Sequence, residues 1–225
     1  MSTKKFPDNA VKFLSRLKKN NNRKWFEKHK EEFTESVFEP AQEFVVVLGE
    51  LLRTIVPDII AIPKTDKSIF RLYRDVRFSK NKLPYKTNLG LYFWEGERKK
   101  MECSGFYFHV EPGYFFVGAG QYMLSDELLK KYRNVVYNPE KGKELDSILK
   151  KLKKKGFEIG GKTFKKVPKG FDPEYPYAVY LLHSGVYVYD EKNDLKELTE
   201  ADPIKFTFDK FKAMLPLHKW LVENI

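Results

Sequence analysis

The hydrophobic period of this chain changes between its first quarter and its middle, and that change limits the folds open to it. From Ala10 to Ile55 apolar residues return every three or four positions; from Leu89 to Gly120 they return at every second one. Helical patterning followed by strand patterning, without alternation of the two, predicts an α+β fold with N-terminal helices, a central, mostly antiparallel sheet containing a β-hairpin, and C-terminal helices.

Asp8 is the predicted N-cap of a first helix carrying Phe13, Leu14 and Leu17, which the run Asn20, Asn21, Asn22 breaks. Asn22 caps a second, with Trp25, Phe26, His29, Phe33 and Val37 as its stripe. Pro40 marks the first turn of a third, ending before Pro57. Strands are predicted at 89–93, 106–110 and 114–120. The last two are joined by Glu111-Pro112-Gly113-Tyr114, whose central Pro-Gly predicts a type II turn. Ser125 caps a further helix, and residues 139–155 form a lysine-faced helix ended by Gly156. Residues 160–176, rich in Gly, Pro and Lys, read as loop. A short apolar element at 177–182, a strand at 185–189 and a closing helix at 209–224, interrupted by Pro216, complete the chain.

With 225 residues, 42% of them hydrophobic, and no internal repeat, the expectation is a single domain over 1–225. Cys103 is the only cysteine, which excludes an intramolecular disulfide or a cysteine zinc cluster and fits a reducing compartment. The polar start, residues 1–5, lacks the apolar core of a signal peptide, and no apolar run is long enough to span a bilayer. A cytoplasmic protein without a membrane partner is expected. Lys and Arg number 42 against 31 Asp and Glu, a net charge of +11. That excess suits a polyanionic partner, although scattered lysine is also how a solvated surface looks.

Residues 69–87 depart from the rest. They hold Arg71, Arg74, Arg77, Lys80, Lys82 and Lys86 against one acid, Asp75, interleaved with Phe70, Tyr73, Phe78 and Tyr85. Two geometries are open. As a strand, 70–78 has an apolar face of Phe70, Leu72, Val76 and Phe78 on which Arg74 intrudes; as successive helical turns, Arg71, Arg74 and Arg77 align on one side. Either concentrates guanidinium forks that grip phosphate or carboxylate bidentately. The structural alternative is an Arg-Asp-Tyr network centred on Asp75 that ties a loop to the sheet.

The stretch Asn21-Asn22-Arg23-Lys24-Trp25-Phe26, the pair Phe70-Arg71 and the run Arg74-Asp75-Val76-Arg77-Phe78-Ser79-Lys80-Asn81-Lys82-Leu83-Pro84-Tyr85-Lys86 together resemble the signature of a widespread family of bacterial and fungal proteins, a conserved domain of unknown function. Glu111-Pro112-Gly113, Gly118-Ala119-Gly120 and Pro216 with Trp220-Leu221 are similar to its weaker landmarks. The resemblance covers nearly the whole chain and implies one α+β domain with no agreed activity, cofactor or catalytic set. Leu83 stands where the family usually has threonine.

Elsewhere, Tyr107, His109 and Glu111 share one face of a predicted strand, offering a phenol, a base and a carboxylate together. His29, His183 and His218 have no ligand spacing, so no metal is expected. Gly118-Ala119-Gly120 lacks the third glycine of a dinucleotide loop, and no other cofactor motif is present.

Three functions remain open. The first is binding of a phosphorylated small molecule or nucleic acid through Arg71, Tyr73, Arg74, Arg77, Lys82, Tyr85 and Lys86. The second is a hydrolase using Asp75, His109 or Glu111. The third is a non-catalytic structural or interaction protein.

Overall fold

Both halves of the expected pattern are present in a computed structural model, which describes residues 6–225; the polar start lies outside the described residues. In chain order the elements are α1 (Asp8–Lys19), α2 (Arg23–Lys28), α3 (Lys30–Phe33), a π-helical turn (Thr34–Phe38), α4 (Glu39–Arg53), β1 (Leu89–Trp94), β2 (Gly105–Glu111) and β3 (Tyr114–Gln121). They continue with α5 (Asp126–Tyr137), α6 (Pro139–Lys154), β4 (Glu158–Lys162), β5 (His183–Lys192), α7 (Lys196–Glu200) and α8 (Pro203–Asn224). The fold is α+β, with one antiparallel sheet of order β1-β2-β3-β5-β4. Gly113, at φ 81°, turns the β2–β3 hairpin in the backbone region a type II turn requires. No helix among the described residues is long and apolar enough to cross a membrane.

The chain gathers into two compact units. One comprises the described residues up to Phe93 with Tyr107–Val117 and Glu191–Asp209; the other comprises Trp94–Phe106, Gly118–Asp190 and Lys210–Ile225. In the first, aromatic rings from the helices meet the inward face of the sheet: Phe44 lies 5.0 Å from both Phe6 and Phe108, and Phe13 lies 5.7 Å from Phe33. In the second, the Tyr132 hydroxyl donates to Tyr180 O (3.1 Å) and the Tyr180 hydroxyl to Asp146 Oδ1 (2.8 Å), which keeps these buried polar groups paired.

Several sequence expectations need correction. Asp8 is not a cap: it is already the first helical residue, behind Pro7, and its side chain makes no cap bond. Ser125 holds the N-cap position of α5 without a side-chain bond, whereas Asn22 accepts from Trp25 N (2.9 Å) as expected. The second and third helical patterns are not separate. Pro40 has no N–H to donate, and the chain passes it through the wider π turn, where Glu39 N bonds Thr34 O.

The expected loop at 160–176 begins with a strand. Gly160 and Gly161 signal contact there rather than flexibility: a Cβ on Gly160 would lie 2.2 Å from the Tyr187 ring, and one on Gly161, which stands at φ +100°, would lie 2.0 Å from Gly185 O. The strand at 185–189 extends over His183–Lys192, and the closing helix starts at Pro203 and continues through Pro216.

Between α4 and β1 the chain forms neither the strand nor the helical turns considered for 70–78. Its residues bond where partners lie. Ile69 bridges Leu91 antiparallel, Phe70 N donates to Gly90 O (3.0 Å) and Tyr92 N to Ser68 O (2.8 Å), so the segment covers the open edge of β1. Phe78, assigned to an apolar face, is 96% exposed. Further along, the Asn21 side chain makes a reciprocal pair with the Tyr85 backbone, Nδ2 donating to Tyr85 O (2.9 Å) and Oδ1 accepting from Tyr85 N (3.1 Å). The Tyr85 ring then lies 4.4 Å from Phe26.

Replacing Asn21 removes both bonds from a buried backbone. Asn21→Ala is expected to lower unfolding stability by about 2–3 kcal/mol, and Asn21→Asp, which keeps the acceptor and loses the donor, by about half as much. Denaturant titration measures both; unchanged midpoints would refute this role.

Candidate functional site

The basic segment is a stub of two antiparallel arms closed by a loop. Tyr73 bridges Tyr85, Lys86 N donates to Leu72 O (2.8 Å) and Arg74 N to Pro84 O (2.9 Å). Within the loop most cations are already engaged. Arg77 holds Asp75 through Nε to Oδ1 (3.0 Å) and Nη2 to Oδ2 (2.7 Å). That bond is the main reason the Asp75 carboxyl lies below its usual range, and both residues are on the surface. Lys82 Nζ donates to Val76 O (2.9 Å), and Arg74 Nη1 to Leu83 O (3.1 Å). The network expected around Asp75 is therefore a local pair within the loop. No hydrogen bond or ion pair among the described residues links Asp75 to His109 or Glu111.

Tyr73 and Tyr85 also serve the scaffold. Their rings lie 5.1 Å apart and join Phe26; burial, first, and then the Tyr73 hydroxyl push the Tyr85 phenol up to about 12.

Three cations remain outside this arrangement: Lys80, exposed in the loop, and Arg71 and Lys86 on the arms. Arg71 is exposed and has no hydrogen-bonded partner among the described residues. Lys86 is half-buried with its Nζ 5.6 Å from the centre of the Phe70 ring. Burial and the field of Arg71 depress the Lys86 ammonium, with only a partial offset from Asp66. Among the described residues no carboxylate is hydrogen-bonded to Arg71 or Lys86.

Beside them stands the polar face of β2. Its alternation follows the sequence pattern: Phe106, Phe108 and Val110 are buried, while Tyr107, His109 and Glu111 are half-exposed. The Tyr107 hydroxyl lies 3.0 Å from His109 Nδ1, and the Asn88 amide nitrogen reaches the same atom at 3.5 Å. Burial, aided by Lys86, pushes His109 down to about 4, so the imidazole is neutral at pH 7. Donors gathered at Nδ1 place the ring proton on Nε2, a buried atom without a hydrogen-bond partner. Glu111 Oε1 stands 4.0 Å from Nε2, too far for a hydrogen bond and, with a neutral ring, not an ion pair. Burial and the Glu111 carboxylate push the Tyr107 phenol up to about 12.

Phe70 packs edge-on to Tyr107 at 5.8 Å, and a Cβ on Gly90 would come within 2.7 Å of the Tyr107 oxygen. Only the absence of a side chain at 90 leaves room for that hydroxyl.

A cavity of about 230 Å³ adjoins this cluster. Phe26, Phe33, Phe38, Phe70 and Tyr73 form much of its wall, and Arg71 is its charged member. The structure thus brings Lys86 within the field of His109 and Arg71 within that of Lys86, with Phe70 packed on both Lys86 and Tyr107, and engages Arg74, Asp75, Arg77 and Lys82 within their own loop. Asn88 and Gly90 are additions. A glycine inside an apolar strand was the available signal for Gly90, whereas nothing local distinguishes Asn88.

His218 has partners that are distant in sequence: Nε2 lies 2.8 Å from Glu95 Oε2, and Nδ1 lies 3.0 Å from Ser104 Oγ. Its side chain is wholly buried and rests 4.6 Å from Phe106, a position suited to holding the core. Among the described residues no group of three His, Cys, Asp or Glu side chains is placed to hold a metal ion.

A family profile described as conserved hypothetical protein, DUF2461, matches residues 9–220. No curated protein and no solved structure matches the chain.

His109 ties stability to pH. Its folded pKa, about 4, is below the ordinary 6.5, so the unfolded chain takes up the proton first as pH falls. The contribution is complete above about pH 6.5 and is lost towards pH 4, amounting to about 3 kcal/mol. Burial lowers His183 as well, so the readout is the difference between wild type and His109→Gln. The variant should show the smaller stability loss over this window; parallel curves would refute the assignment.

Proposed function

Because the chain belongs to DUF2461, a family described only as conserved hypothetical proteins, we propose its function from the site itself: it binds a phosphorylated ligand at Arg71 and Lys86. One observation carries this reading. Arg71 and Lys86 lie in each other's field, and among the described residues no carboxylate is hydrogen-bonded to either, the fields of Asp75 and Asp66 offsetting them only from a distance. Like charges held together and partly desolvated destabilise each other, and an anion between them reverses the sign of that interaction. The Arg71 fork suits two phosphate oxygens, and Lys86 adds a point charge. The same chemistry accepts a phosphorylated small molecule or a phosphate of a nucleic acid strand.

Isothermal titration with inorganic phosphate and ribose 5-phosphate tests the site. Binding should weaken severalfold between about 50 and about 200 mM salt. Arg71→Ala and Lys86→Ala should each reduce affinity about tenfold, the loss of one charge-assisted contact. Arg77→Ala should leave it unchanged, since Asp75 engages that guanidinium. Binding insensitive to salt, or an equal loss in all three variants, would overturn the proposal.

The half-exposed carboxylate of Glu111, on the same face of β2, favours a second reading, hydrolysis of the bound ester, with Glu111 as the base that activates water. Turnover lost in Glu111→Gln with binding retained would establish it; a wild type that binds without turnover would remove it.

A further inference from the structure

We propose that the ligand is a nucleotide, with its base in the aromatic cavity and its phosphate at Arg71 and Lys86. The inference rests on the anion site described above and adds the chemical class of the remainder of the ligand.

Five of the twelve residues that line the cavity carry aromatic rings. Phe33, Phe38 and Phe70 are only half-buried and Tyr73 is 51% exposed, so aromatic surface that would ordinarily be packed away faces the space. Faces of this kind stack on heterocyclic bases irrespective of base identity. At about 230 Å³ the cavity is smaller than most cofactor sites and has room for one ring system rather than a dinucleotide or a flavin with its tail.

Its polar members match the edge of a base better than an alkyl chain. Asn88 brings an amide and Thr65 a hydroxyl, both of which an aliphatic tail would leave unpaired. Arg71 belongs to both regions: it lines the cavity and its field reaches Lys86. A base seated among the rings therefore carries its phosphate towards the two cations. A duplex does not meet this requirement without extruding a base, so the ligand is either a free mononucleotide or one residue of a single strand.

Calorimetric titration can compare inorganic phosphate, ribose 5-phosphate, AMP, UMP, a short oligothymidylate and a duplex. AMP or the single strand should bind at least about tenfold more tightly than ribose 5-phosphate, the range expected from stacking one base. Phe38→Ala should bring nucleotide affinity down to that of ribose 5-phosphate without changing the latter. Tyr73→Leu, at a more exposed position, repeats the test should Phe38→Ala fail to fold. Arg71→Ala should weaken both classes.

Preference for AMP and UMP identifies a free nucleotide, and preference for the oligothymidylate identifies a strand; either supports the proposal. Equal binding of ribose 5-phosphate and AMP, unaffected by Phe38→Ala and Tyr73→Leu, would overturn the base site and leave the anion site standing. Absence of binding by every phosphate would overturn both.

Discussion

The arrangement around the site depends on one side-chain amide. Asn21 offers Tyr85 an acceptor and a donor in the spacing of a neighbouring strand, and in doing so fixes a chain segment that has little regular structure of its own. Tyr85 can then bury its ring against Phe26, Tyr73 can pair with Tyr85, and the following residues, Lys86 to Asn88, are led towards β1. Without that attachment, loop entropy would work against every later contact. The two stretches that carried the family resemblance, one at Asn21-Asn22 and one ending at Tyr85-Lys86, are thus halves of a single contact.

Charge in the basic segment is sorted by partner rather than by position. Arg74 and Lys82 spend their donors on carbonyls of their own loop, and Arg77 neutralises Asp75. These groups shape the loop, and their exposed contacts are of a kind that contributes little to global stability. Arg71 and Lys86 differ because the segment brings two cations together without bonding a carboxylate to either. A count of basic residues treats all of them alike; only the geometry separates structural cations from available ones.

Most of the fold was legible because periodicity reports burial directly. The helical character of the first quarter and the three central strands followed from spacing, as did the face shared by Tyr107, His109 and Glu111, and the hairpin followed from Pro112-Gly113. The failures were local. Gly160 and Gly161 looked like loop because their role is to admit the Tyr187 ring and the Gly185 carbonyl, which are remote in sequence. Phe78 looked like core because an apolar type at an alternating position normally is, and here the arms of the stub end before reaching it. The site was legible as a region and not as a set of partners, since neither the capture of Asp75 by Arg77 nor the meeting of Asn88 with His109 leaves a mark on periodicity.

The π turn at Thr34–Phe38 bears on how the cavity wall is built. In a regular α-helix, residues five apart are separated by roughly 140° around the axis and face different directions. The wider turn brings such residues back into line, and Phe33 and Phe38 stack with their ring centres 6.4 Å apart. The wall is therefore a product of helical phase as well as of residue type. Deleting one residue of the turn would leave the two phenylalanines four apart, about 40° around a regular helix and still neighbours, whereas regularising the turn at its present length would part them by roughly 140°, so the stacked pair depends on the match between helical phase and segment length.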